Sequence, residues 1–104
     1  MKTEYLTNFN IAGFTYYEGA SVFSQLKIGS RLKLKLEENN KYDAKAVAIY
    51  HGKSKIGFIP KTENRIFHKL LKVGLKKNLK ITIQRISPNE HPENQVQVVA
   101  HLLG

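Results

Sequence analysis

The chain contains no cysteine among its 104 residues. Disulfides, thiolate metal sites and cysteine nucleophiles are therefore excluded. It also has no apolar run approaching the ~20 residues needed to cross a bilayer. The first segment, Met1–Asn8, has no apolar core of leader-peptide length. The expectation is a cytoplasmic protein without a membrane partner. No internal repeat or low-complexity segment is visible. Acidic residues are scarce, with 8 Asp and Glu against 17 Lys and Arg and a net charge of +9. A field of that sign draws phosphates from a distance and points to a polyanionic partner. The length suits one domain, residues 1–104, with a single core.

The residue patterns that usually carry catalysis are missing. His51, His68, His91 and His101 are far apart and show no paired spacing, so they make no metal motif. Ser21, Ser24, Ser30, Ser54 and Ser87 lack an elbow motif, and Gly52 and Gly57 do not form a phosphate loop. Glu37 and Asp43 could form an acid–base pair or a cation site, even that of a metal-dependent nuclease. Carboxylates at a strand end are also turn and capping groups, and nothing supplies a nucleophile. A non-enzymatic protein without cofactor or metal is expected.

What is present is mostly β patterning. Phe9 to Tyr17 has strand composition, with Gly13 marking a bulge or close backbone approach. Val22, Phe23 and Leu26 fall at helical spacing, which predicts a helical turn or short helix over 20–26. Gly29 breaks the chain. Arg31 to Leu36 alternates, with leucines on one face and Arg31, Lys33 and Lys35 on the other. Ala46 to Tyr50 and Lys55 to Ile59 form a hairpin around His51–Ser54, ended by Pro60. Thr62 is the expected N-cap of a helix carrying Ile66, Phe67, Leu70 and Leu71, with Gly74 at its end. Leu79 to Ile86 and Gln95 to Leu102 alternate again and flank a long polar turn. About six short strands with one good helix predict a small closed or nearly closed barrel.

The loop Glu37–Asp43, Glu-Glu-Asn-Asn-Lys-Tyr-Asp, concentrates the polar and aromatic groups. As strand neighbours, Tyr16 and Tyr17 would face opposite ways, one to the core and one to solvent. An exposed tyrosine beside a basic surface can stack a base, worth ~1–3 kcal/mol. Tyr42 in its polar loop either does the same or caps the end of the barrel. Asp43 either starts the next strand through an Asx-type turn or accepts a hydrogen bond. A carboxylate repels phosphate, so on a phosphate-binding surface it is useful for accepting from a hydroxyl, such as that of a terminal sugar. Lys33, Lys35 and Lys61 are candidate phosphate contacts, and Lys33 and Lys35 serve equally as a solvated strand face.

Three segments in order carry a resemblance: Ala12-Gly13-Phe14-Thr15-Tyr16-Tyr17, then Glu37 through Val47, then Ile56-Gly57-Phe58-Ile59-Pro60. Over about residues 9–73 the chain resembles the HIRAN domain. That domain is found in certain SWI/SNF-type DNA remodelling and repair helicases and as small stand-alone bacterial proteins. The resemblance implies a mainly β fold, a small six-stranded OB-like or SH3-like barrel with two short α-helices, that binds DNA. It implies recognition of single-stranded DNA with a free 3′-hydroxyl end, and a role in repair or replication. By position, Tyr16 and Tyr42 would stack the terminal bases and Asp43 would accept from the 3′-hydroxyl. Asn40 would contact the backbone or support the loop, and Lys61 and Phe58 would line the phosphate path. Thr15 stands where end binders can have an arginine, and Glu38 replaces the usual proline. The alternative reading is a protein-interaction module that docks on a helicase or nuclease.

Overall fold

The structure is a computed structural model that describes residues 2–104. Met1, which opens the segment read for a leader peptide, lies outside them. The described residues form six strands and two α-helices. In chain order these are β1 (Thr3–Asn10), α1 (Gly19–Val22), β2 (Arg31–Leu36), β3 (Val47–His51), β4 (Ser54–Phe58), α2 (Asn64–Lys72), β5 (Leu79–Ile86) and β6 (Val96–Leu103). Short 3₁₀ turns lie at Phe14–Tyr16, Phe23–Gln25, Lys76–Asn78 and Pro92–Asn94.

The strands make one antiparallel sheet in the order β1-β6-β5-β2-β3-β4. It does not close as a ladder. Its ends meet at one bridge, where the backbones of Ala12 and Phe58 exchange two hydrogen bonds of 2.9 Å. "Barrel" is therefore a loose description of a strongly curved sheet. Period-two alternation sends Leu32 and Leu34, Ile81 and Ile83, and Val96 and Val98 into one core. Helix α2 lays Phe67 into that core, where its ring meets Phe9 edge to face at 5.8 Å.

Strand β4 carries the irregularity that shapes the site. Ile49 pairs with Gly57, but the next residue, Tyr50, pairs with Lys55, so Ile56 is an extra residue in a β-bulge. Strict alternation would put Lys55 and Phe58 on opposite faces. The bulge brings both to the outer face, with the Lys55 ammonium 4.4 Å from the Phe58 ring centroid. Gly57 has φ 146°, and a Cβ there would lie 2.5 Å from the Ala12 carbonyl oxygen. No larger residue fits without moving the bridge.

Two sequence expectations need correction. The strand expected over 9–17 runs instead from Thr3 to Asn10. After the bridge at Ala12 the chain turns at Gly13 into the 3₁₀ turn Phe14–Tyr16. Gly13 adopts φ 69°, which a strand does not allow, so the strand composition of this segment is overridden locally. Tyr16 and Tyr17 consequently do not alternate between core and solvent, and both are exposed. Thr62 is not the N-cap of α2. The helix begins one residue later than that cap implies, with Glu63 at the capping position and no side-chain cap bond.

Candidate nucleic-acid interface

A cleft of about 280 Å³ opens between the 3₁₀ turn after Gly13 and the loop joining β2 to β3. The first segment contributes Gly13, Tyr16 and Tyr17, and the loop contributes Asn40, Tyr42 and Asp43. Buried Ala46 and Ile59 lie at its base, with Phe58 and Lys61 completing the lining.

The loop holds its shape through Asn40. The Asn40 side-chain oxygen accepts from the backbone N–H of Tyr42 at 2.8 Å and of Asp43 at 3.0 Å. Its amide donates to Glu37 Oε1 at 3.2 Å. This is an Asx-type turn, the local chemistry expected of an asparagine in a polar loop. It leaves the Tyr42 ring without a place in the core, 87 % exposed. Tyr16 is 82 % exposed, its backbone N–H fixed on the Gly13 carbonyl at 3.0 Å. Neither ring caps the core, so the cleft presents two free aromatic faces.

Asp43 lies between structure and solvent. Its Oδ1 accepts from the Lys45 backbone N–H at 2.9 Å, and its Oδ2 accepts from the Asn64 side-chain amide at 2.8 Å. The Lys45 hydrogen bond holds its carboxyl below the usual aspartate value against partial desolvation. The Asn64 amide and the charges of Lys61 and Lys45 add to that effect. A carboxylate offers about four acceptor positions. Two are used, so Asp43 retains capacity for a hydroxyl donor. Lys61 Nζ reaches toward the Tyr42 carbonyl at 3.5 Å, which places a cation at the same mouth.

Glu37 is committed elsewhere. It forms a salt bridge with Lys55, whose ammonium also lies 4.6 Å from the Tyr17 ring centroid. Partial burial works against the Glu37 charge. The hydrogen bonds from Lys55 and Asn40, with the charges of Lys55 and Lys35, outweigh it and hold the carboxyl below its ordinary value. Glu37 and Asp43 thus have separate partners. Among the described residues no three His, Cys, Asp or Glu side chains converge as a metal-holding group.

Of the residues singled out in the sequence, the cleft brings together Tyr16, Asn40, Tyr42, Asp43, Phe58 and Lys61. Thr15, Lys33 and Lys35 are exposed but do not line it. Sequence reasoning missed four supporting residues. Tyr17 packs edge to face on Phe58 at 5.4 Å, and Lys55 covers both rings. Asn64 is the buried polar residue among those described and anchors Asp43. Glu93 accepts from the Gly13 N–H at 3.3 Å. Asn64 and Glu93 are distant in sequence from the groups they hold, and no local pattern marks either.

An open, aromatic-walled cleft on a basic, mainly β domain defines a small ligand-binding module. Its sequence matches the HIRAN domain over residues 5–102, and the chain belongs to that family. HIRAN domains are DNA-binding modules, which supports nucleic acid as the partner. A crystal structure of a protein from Lactobacillus plantarum has the same fold, with a TM-score of 0.82 over 97 % of this chain and 95 % of that one. The two sequences are 17 % identical. No curated protein matches the chain. Among the described residues no helix is long and apolar enough to cross a membrane.

Proposed function

We propose that this chain is a non-enzymatic DNA-binding module that holds single-stranded DNA by its free 3′-hydroxyl end, in the service of DNA repair or replication. The observation that carries this reading is the placement of Asp43. A carboxylate with spare acceptor capacity lies in a cleft with two exposed tyrosines and a lysine, on a domain of net charge +9. Tyr16 and Tyr42 offer stacking surfaces for the last bases, and Lys61 offers a phosphate contact. Asp43 accepts from the terminal hydroxyl and repels a terminal phosphate, so it distinguishes an extendable end from a blocked one. Asn40 acts through the loop it shapes.

The test is fluorescence anisotropy with a 5′-labelled single strand ending in a 3′-hydroxyl or a 3′-phosphate. A hydrogen bond to a charged group is worth ~1.5–3 kcal/mol, so the hydroxyl end should bind roughly 10- to 150-fold more tightly. Equal affinity would reduce the protein to an end-blind cationic surface. Binding of neither strand would move the assignment to a protein-docking module.

A further inference from the structure

Strand β2 pairs with β5 through two residue pairs, Arg31 with Thr82 and Leu32 with Ile81. From Lys33 onward it pairs with β3 instead. The departure opens a notch of about 280 Å³ floored by Leu32, Leu71 and Leu79, with Arg31, Lys33 and Lys76 on its lining. A second hollow, about 430 Å³, shares Lys33 and Lys76 with the notch and adds Lys35, Lys53 and Tyr50. Neither lining includes an acidic residue. Arg31, Lys33, Lys35, Lys53 and Lys76 are all exposed, and none is ion-paired among the described residues. Glu37, which follows β2, is ion-paired with Lys55.

This cationic groove is connected to the end cleft through the sheet. Phe58 of the cleft pairs with Ala48, and Ala48 pairs with Lys35 of the groove. Directly paired residues share a face, and two strand spacings amount to ~10 Å. A strand whose last bases occupy the cleft therefore has within reach a row of cations that form no salt bridge among the described residues. Tyr50 adds an aromatic surface of the kind on which bases stack.

We propose that the groove along β2, the β3–β4 turn and Lys76 is a second nucleic-acid contact, which takes the phosphodiester backbone of the strand leading into the held end. This rests on the proposed function for where the strand begins, while the groove itself is read by charge. Affinity then depends on strand length until the groove is filled. End selectivity stays with the cleft.

The experiment compares 5′-labelled single strands of about 4 and about 16 nucleotides, the range of site sizes per OB-type fold. Each ends in a 3′-hydroxyl and is titrated over a salt series. The proteins are the wild type, the triple variant Lys33→Gln/Lys53→Gln/Lys76→Gln, and a control triple at exposed lysines elsewhere, Lys2→Gln/Lys27→Gln/Lys69→Gln. Expected is a slope of log K against log salt that is flatter by about 2 for the groove variant on the long strand, from ~0.7 per lost phosphate contact. The short strand and the control triple should show little change. Thermal melts should coincide for all three proteins, since every substituted side chain is exposed. A wild-type slope for the groove variant on the long strand would overturn the proposal. Equal flattening by the control triple would overturn it too. The 3′-hydroxyl against 3′-phosphate comparison on the short strand reads the end cleft separately, so the two readings can fail independently.

Discussion

The Asn64 side-chain amide donates to Asp43 Oδ2 at 2.8 Å. The first residue of α2, 4 % exposed, thereby positions the carboxylate in the β2–β3 loop. The sequence left Asp43 as either a turn residue or a ligand group. The structure shows the turn role in the Lys45 bond, and a free part of the same carboxylate remains toward the cleft.

Asp43→Ala therefore does not separate the two roles. It orphans the buried Asn64 amide at a cost of ~1–3 kcal/mol, so both melting temperature and binding should fall. Asp43→Asn keeps an oxygen for the Lys45 N–H, and Asn64 can rotate to present its own oxygen. The expected outcome at neutral pH is a melting temperature below that of the wild type by only the lost charge contribution and well above that of Asp43→Ala, with the preference for a 3′-hydroxyl over a 3′-phosphate lost. Retained preference in Asp43→Asn would remove Asp43 from recognition.

Tyr16→Ala and Tyr42→Ala should each weaken single-strand binding by ~1–3 kcal/mol, roughly 5- to 150-fold, through lost stacking. Both rings are more than four-fifths exposed, so thermal unfolding should not change. A large drop in melting temperature would mean that these rings pack in solution rather than wait for bases.

Gly57→Ala should cost about 2 kcal/mol or more, from overpacking together with a strained backbone. The added Cβ meets the Ala12 carbonyl in the bridge that joins the sheet's ends. Chemical denaturation would measure it. A variant as stable as the wild type would show that the bridge contributes little.

The acid limb of stability should depend on Asp43 and Glu37. Both carboxyls are held below their ordinary values of 3.8 and 4.5. Groups with depressed values stabilise fully above those ordinary values, and the contribution disappears as pH falls through the lowered ones. Wild type and Asp43→Asn melting temperatures, measured against pH, should differ most near neutrality and converge in acid. A constant difference would mean that the Asp43 charge has no part in folding.

Lys61→Gln should flatten the salt dependence of short-strand binding by ~0.7 in log–log slope, one phosphate contact. An unchanged slope would place the Lys61 ammonium away from the strand and leave it only as a neighbour of the Tyr42 carbonyl.

Much of the fold was legible because alternation is a local signal. Arg31–Leu36 and Leu79–Ile86 are strands with the bounds their patterns mark. The hairpin and the helix ending before Gly74 were also readable. The segment after Asn10 was not, because aromatic residues favour strands on average and the turn at Gly13 depends on a bridge to Phe58. The lysines of β2 show the same limit. Their outward face was evident, but whether that face belonged to the cleft depended on how β2 splits its pairing between β5 and β3.

The sequence by itself determined the cationic balance, the strand and helix periods, and the polar Glu37–Asp43 loop with the Asx-type turn of Asp43. These follow from residue types within a few positions of each other. Only the tertiary structure decided that Tyr16, Tyr42, Asp43, Phe58 and Lys61 share one cleft. Three separate stretches of chain supply them, and the bulge at Ile56, the bridge at Ala12 and the anchor at Asn64 bring them together. The bulge is local to the β3–β4 hairpin, but the bridge and the anchor join residues distant in the chain, and such contacts exist only once the core has closed.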